Sequence, residues 1–205
     1  MFLQLIRTHV RDAAAVHHAL HRWVEELSPA AEGWLGTTAG LTDDGTFLGV
    51  ARFDSGDAAR RNSDRPEQGE WWEATSELFS GDVTFHDCPE VEVMGPGGSD
   101  DAGFVQVIEG RSRDFARARE LYRQNEEQLR SARPDVLGGL VGLREDGQFT
   151  QVMYFTTEEE ARHGERRHRP DASRAVFEEM RSLVESPTYY DLRDPWLWSP
   201  TSHRG

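Results

Sequence analysis

Short apolar runs alternate with segments of helical period along this chain, and the alternation is written twice. Residues 2–7 and 104–108 are apolar or β-branched runs short enough to be strands. Each is followed by Arg-Asp, with Asp12 and Asp114 placed as helix N-caps. In the first helix Ala13, Val16, Leu20, Trp23, Val24 and Leu27 recur at three and four residues, which makes one apolar face. In the second, Phe115, Ala118, Tyr122, Asn125 and Leu129 hold the matching positions. Trp34–Leu41 and Val136–Leu143 come next, each followed by an Asp-Gly pair and by residues 47–53 or 149–155. Asp-Gly between two β-type runs is a strong hairpin signal. A polar, charge-rich stretch then leads through Pro66 or Pro170 into another helix. That helix bears Trp72, Leu78 and Phe79 in one half and Val176, Phe177, Met180 and Leu183 in the other. Residues 83–86 and 188–191 close each half as strands. Each half therefore reads β-α-β-β-α-β, the ferredoxin-like order.

A shift of 102 residues lays one half on the other, and 20 of the 59 positions from 2 to 60 are then identical. A match of this density implies an internal repeat. The expected fold class is α+β, with two tandem ferredoxin-like lobes forming an intramolecular dimeric α/β barrel. The expected boundaries are 1–95 for the first lobe, 96–103 for a small, polar linker, and 104–205 for the second lobe with a C-terminal extension. Fusing two copies so closely suggests a pseudo-twofold pair with the sheets face to face. Two-sided burial fits this, because the first strand of each half has apolar residues on both alternating faces. The two tryptophans of Asp194-Pro-Trp-Leu-Trp198 read as a hydrophobic clasp on a neighbouring lobe or subunit.

Composition narrows the function. A formal charge of −14 over 205 residues disfavours nucleic acid and anionic membrane surfaces, both of which call for clustered Lys and Arg. The single cysteine, Cys88, fits a reducing compartment. The N-terminal apolar run stops at Arg7, too short for a signal peptide, so a cytoplasmic location is expected. Glycine-rich phosphate loops, His/Cys zinc spacings and nucleophile elbows are missing, and neither a metal nor a cofactor is expected.

The element order, the segment Gly33-Trp-Leu-Gly with Asp-Asp-Gly-Thr-Phe-Leu-Gly-Val-Ala-Arg-Phe-Asp-Ser, and the Trp-bearing second helix resemble the dimeric α/β-barrel superfamily. The nearest likeness is to antibiotic biosynthesis monooxygenase-like domains, over residues 1–95 and 103–198. The resemblance implies a pocket between the sheet and helices of each lobe, and activities that range from cofactor-free oxygenation of aromatic polyketides to haem degradation and isomerisation. Haem degradation in this superfamily relies on an Asn on the first strand and on a Trp and a His on the second helix. Gln4 and Gln106 stand on the first strands here, Trp71 or Trp72 matches the Trp, and no His falls on that helix. Haem-binding chlorite dismutase-like members need an axial His in the second lobe, and His163 and His168 lie in a polar stretch before a helix.

Three groups of residues are candidates for chemistry. His17, His18 and His21 sit on one flank of the first helix, which reads more simply as a half-wet surface than as a metal pair. Residues 156–171 hold a basic patch of Arg162, His163, Arg166, Arg167, His168 and Arg169, either a solvated surface or an attractor for an anionic ligand. The third group is the set of positions where the copies part. Leu20, Trp23 and Val24 stand against Tyr122, Asn125 and Glu126; Gly49, Ala51 and Arg52 against Gln151, Met153 and Tyr154; Phe85 and His86 against Tyr189 and Tyr190. Polar groups on a core face imply a hydrogen-bonded network or a wet cavity. The second lobe is thus expected to hold the working pocket, lined by Tyr122, Asn125, Gln151, Tyr154 and Tyr190. A site in the first lobe would use His86, Arg52 and Trp72. As catalytic groups, His86, Arg52 and Tyr154 are the candidates for moving a proton or stabilising charge. The expected function is a small-molecule enzyme resembling cofactor-independent monooxygenases that act on aromatic or polyketide-like compounds. The alternative is a non-enzymatic binding or stress-associated protein of the same fold. The expected partner is a small hydrophobic or aromatic ligand, and a further homodimer stays open.

Overall fold

The first strand, β1 (Phe2–His9), runs into Asp12, whose carboxylate accepts the Ala15 N–H at 3.0 Å and starts α1 (Ala13–Glu26). The computed structural model describes residues 1–166 and 171–200, except for the side chains of residues 171–173. β2 (Trp34–Leu41) and β3 (Thr46–Phe53) form the expected hairpin. Gly45 takes φ +83°, which favours glycine, and the Asp44 carboxylate accepts the Thr42 hydroxyl at 2.5 Å and the Thr46 N–H at 3.1 Å. Those bonds hold the Asp44 carboxyl at a pKa of about 2. The polar stretch that follows contains a short helix, α2 (Gly56–Ser63), capped by Ser55, ahead of α3 (Pro66–Ser76) with Pro66 in its first turn. β4 (Thr84–Cys88) closes the first ferredoxin-like set.

The second set repeats the order. β5 (Glu90–Met94) precedes it, followed by β6 (Phe104–Ser112) and α4 (Phe115–Ala132), which is capped by Asp114. Then come β7 (Val136–Leu143), β8 (Gln148–Phe155), α5 (Glu158–Arg166), α6 (Asp171–Ser182) and β9 (Val184–Leu192). A short β10 (Trp196–Trp198) ends the described chain. Both sheets are antiparallel, with orders β10-β2-β3-β1-β4 and β5-β7-β8-β6-β9. Both have a register shift at the same place in the hairpin, between Trp34 and Gly36 and between Val136 and Gly138. Among the described residues no helix is long and apolar enough to cross a membrane.

The compact units do not follow the boundaries read from the repeat. The first comprises Met1–Glu90 with the segment from Asp194 on, and the second comprises Val91–Arg193. β5, placed at the end of the first lobe by sequence, is an edge strand of the second sheet, and β10, placed in the extension of the second lobe, is an edge strand of the first. Each covers an edge whose backbone groups would otherwise be unpaired. The segment read as a linker is tied into the second unit. Gly95 N–H donates to the Tyr122 hydroxyl at 3.1 Å, Gly97 N–H to the Met94 carbonyl at 3.1 Å, and Gly103 N–H to the Phe155 carbonyl at 3.1 Å.

In the first unit one sheet face packs on the helices. Trp23, Trp34, Phe53 and Ala58 form one cluster, and Val16, Ala39, Phe47 and Phe79 another. The helix-free face carries Leu3, Leu5, Leu48 and Val50, all fully buried. The second unit alternates in the same way, with Phe104 and Phe155 against Ala161 of α5 and with Val105, Val107 and Val152 on the opposite face.

Candidate functional site

In the second unit the sheet and the helices enclose a cavity of about 570 Å³, and its wall comes wholly from that unit. α4 supplies a stripe at helical period, including Phe115, Ala118, Arg119, Tyr122, Glu126 and Leu129. The sheet supplies Ile108, Val141, Phe149, Gln151 and Met153, and α6 supplies Phe177 and Met180. β5 and the turn after it close one side through Met94, Gly95 and Pro96. Glu92 docks that strand on α4 by pairing with Arg123 at 2.7 Å and with Arg119 at 3.2 Å.

The wall is mostly apolar, and charged side chains, among them Glu126, Arg130, Arg133 and Arg181, border it. The Tyr122 hydroxyl accepts the Gly95 N–H and donates to Glu126 Oε1 at 3.2 Å. Burial, followed by the nearby Glu126 carboxylate, pushes the Tyr122 pKa up, so the phenol keeps its proton. Gln151 sits between Ile108 and Val141 in register. Its amide nitrogen meets the sulfurs of Met153 at 3.1 Å and Met94 at 3.9 Å, which are weak acceptors. Gln106 donates to Asp191 at 2.8 Å, and Asp191 also pairs with Arg162. Gln4 and Asp87 make the same 2.8 Å bond in the first unit, so this pair belongs to the scaffold. A largely apolar wall with isolated polar groups is the usual form of a small-molecule site.

Of the five residues expected to line this pocket, the structure brings two together there, Tyr122 and Gln151. Tyr154 and Tyr190 lie on the other face of the sheet. In register Tyr154 is opposite Val105 and Tyr190 is opposite Val107, both helix-free positions. Side chains alternate along a strand, so Gln151 and Tyr154, three apart, cannot share a face. Tyr189, one residue earlier, borders the cavity. Asn125 donates back to the Leu121 carbonyl at 2.8 Å within α4 and does not line the cavity. Arg52, His86 and Trp72 belong to the first unit and do not form one site. Arg52 and His86 lie on its helix-free face, and Trp72 packs among Trp71, Phe79 and Phe85 on the other.

Two other candidate groups also resolve. His17 packs edge-on to Trp196 at 4.7 Å and stacked on Trp198 at 5.7 Å, while His21 pairs with Glu25. Burial first, then His21 and His18, lowers the His17 pKa. Of the basic patch, Arg162 binds Asp191, Glu158 and Glu165, and His163 is exposed on α5, away from the cavity wall. Arg167, His168, Arg169 and the helix-starting Pro170 lie outside the described residues.

In the first unit three tryptophans pack together in one core cluster. Trp23 is 7% exposed and donates to Gln68 at 2.6 Å, Trp34 is 6% exposed and donates to the Thr37 hydroxyl at 3.1 Å, and Trp71 donates to the Ala19 carbonyl at 3.0 Å. At the positions of Trp23 and Trp34 the second unit has Asn125 and Val136.

The fold is thus ferredoxin-like α+β with a sheet–helix cavity in one unit. No protein-family model matches the chain, and no curated protein matches it. Solved structures do. A candidate monooxygenase from Lactobacillus acidophilus superposes with a TM-score of 0.74 at 12% identity, covering 97% of this chain and 99% of that one. Another from Fusobacterium nucleatum gives 0.76 at 10% identity, over 97% and 94%. An anthrone oxidase-like protein gives 0.58 at 14% identity, over 96% and 93%. The chain has the fold of these monooxygenase-like proteins, and at such identities the likeness is one of fold.

Proposed function

We propose that the second unit binds a mostly apolar small molecule of aromatic or polyketide type, and that the chain oxygenates it without a cofactor. The carrying observation is the 570 Å³ cavity itself, which lies in the second unit, whereas Trp23, Trp34 and Trp71 pack together in the core of the first. Gln151 and the protonated Tyr122 can hydrogen-bond a phenol or enol oxygen, and the apolar wall holds the rings. By analogy with the anthrone oxidase-like neighbour, the reaction would convert a doubly benzylic CH2 to C=O. One oxygen atom of O2 enters the product and the other leaves as water with the two hydrogens. Native mass spectrometry of the purified protein, with an absorption spectrum, tests the binding. A co-purified aromatic compound at one per chain is expected, and a haem spectrum would overturn the cofactor-free reading. Oxygen uptake on adding an anthrone, one O2 per substrate, tests the turnover.

A second reading is a binding protein that does no chemistry. It is favoured by one observation: among the described residues no histidine lines the cavity, and His86, Arg52 and Tyr154 all lie elsewhere. Stoichiometric binding without oxygen uptake would select it.

We also infer that the two units descend from one duplicated lobe. The identities between the halves support this. So do the paired Asp12 and Asp114 caps, the two register shifts and the Gln4–Asp87 and Gln106–Asp191 bonds.

A further inference from the structure

Strand alternation puts Arg7 and Arg52 on the helix-free face of the first sheet, with Leu3, Leu5 and Val50 between them, and none of the Asp or Glu of β1–β4. Arg52 is 7% exposed, and its Nε is sealed from solvent with no hydrogen-bond partner. No hydrogen bond or ion pair to a described residue reaches its terminal nitrogens, and these, unlike Nε, are not sealed from solvent. The guanidinium lies against β2 where the register shifts between Trp34 and Gly36. Gly36, at φ +136°, makes this possible, because a Cβ there would strike Arg52 Nη2 and come within 2.7 Å of the Trp198 carbonyl oxygen. The second unit has Tyr154 at the matching register position, so the cation is peculiar to the first.

An arginine does not shed its proton in a protein, and its five N–H donors take only acceptors. A guanidinium that is nine-tenths buried and whose open end has no protein acceptor favours an anion over water there, because an anion supplies both charge and acceptors. The planar fork matches a two-oxygen edge. We propose that Arg52 holds a small oxyanion, a carboxylate or phosphate group, on the helix-free face of the first sheet. This site is separate from the cavity of the second unit and does not depend on what that cavity binds.

All six tryptophans lie in the first unit, so their fluorescence reports its unfolding alone. The experiment follows thermal unfolding of the full chain by tryptophan emission, with inorganic phosphate, acetate or chloride added at constant ionic strength. Phosphate or acetate should raise the Tm in proportion to ln(1 + [L]/Kd), by about 5–15 °C at a hundredfold excess over Kd, and Arg52→Met should abolish the rise. The more effective of the two identifies the group bound. An equal rise in wild type and Arg52→Met means an adventitious ion only and overturns the proposal, as does no rise in wild type or a rise no larger than that with chloride. Should Arg52→Met not fold, Arg52→Gln carries the comparison. Calorimetric titration of the wild type with phosphate or acetate then decides, since any stoichiometry other than one overturns the site.

Discussion

Replacing Gln151 by leucine should stabilise the second unit and weaken its ligand. The side chain is half-buried between Ile108 and Val141, and its amide donates only to the thioethers of Met153 and Met94. Leucine has nearly the same volume, so no N–H···O bond is lost and no void opens. Removing an ill-paired amide from an apolar wall gains about 1–3 kcal/mol for a fully buried group. Half burial brings this to about 0.5–1.5 kcal/mol. For a unit of 103 residues, Val91 to Arg193, that is a rise in Tm of about 2–10 °C. Hydrogen exchange at the β7 and β8 amides, which lie wholly in this unit, follows its stability separately. A ligand that hydrogen-bonds Gln151 should bind about tenfold more weakly, the equivalent of about 1.4 kcal/mol. Tyr154→Phe is the control, since Tyr154 lies on the other sheet face and its loss should leave affinity unchanged. Lower stability in Gln151→Leu, or unchanged affinity, would make Gln151 a scaffold residue and refute its role in binding.

Trp23→Asn, which installs the residue of the matching position, should cost the first unit about 3–5 kcal/mol in urea unfolding followed by tryptophan emission. A loss below about 1 kcal/mol would contradict the packing. Removing the chain from Asp194 on takes β10 from the edge of β2 and Trp196 and Trp198 from His17. Hydrogen exchange should then speed up at Thr37, Thr38 and Ala39 while the β7 amides stay protected; equal deprotection of both would contradict the division into units. Asp44 has its folded pKa depressed from 3.8 to about 2, so its hydrogen bonds add stability above the unfolded value, and this is lost as pH falls through the folded one. Asp44→Asn should therefore flatten the acid loss of stability between about pH 4 and pH 2 in the first unit, measured by acid titration of tryptophan emission.

Local pattern carried most of the fold. The spacing of Val16, Leu20 and Trp23 and the Asp-Gly turns place α1 and the hairpins correctly, because amphipathic period and turn chemistry act over a few residues. The edge strands were not legible in the same way. β10 pairs with a strand more than 150 residues earlier, and no local signal encodes a pairing that distant. β5 did leave a trace in the alternation Glu90-Val-Glu-Val-Met94, which reads as a strand with one wet face, yet its partner could not be read from it. The pocket residues divide on geometry. Tyr122 falls on the inward stripe of α4 and Gln151 on the inward face of β8, whereas Tyr154 and Tyr190 are displaced from that face by an odd number of residues. For Tyr154 that displacement is present in the sequence, since strand parity relative to Phe149 and Phe155 separates it from Gln151, whereas Tyr190 lies on β9, whose register only the structure gives. Asn125 could not be excluded from sequence, because its bond to the Leu121 carbonyl is a choice of rotamer.

The inequality of the units is also a statement about energy. Val136 lines the cavity at the position where the first unit has Trp34, and the second unit does not close that space by collapse. The cavity opens to solvent, so water enters it when no ligand is bound. Water satisfies Tyr122, Gln151 and the charged rim, yet it forgoes the burial of Phe115, Phe149, Phe177 and Met180 at about 25 cal/mol per Å² of apolar surface. A ring-bearing molecule recovers that burial and leaves the polar groups to the water or to its own oxygens. The cavity is then a place where stability and ligand binding are coupled, and the melting temperature of the second unit, unlike that of the first, should rise with the ligand in the proportion RT ln(1 + [L]/Kd).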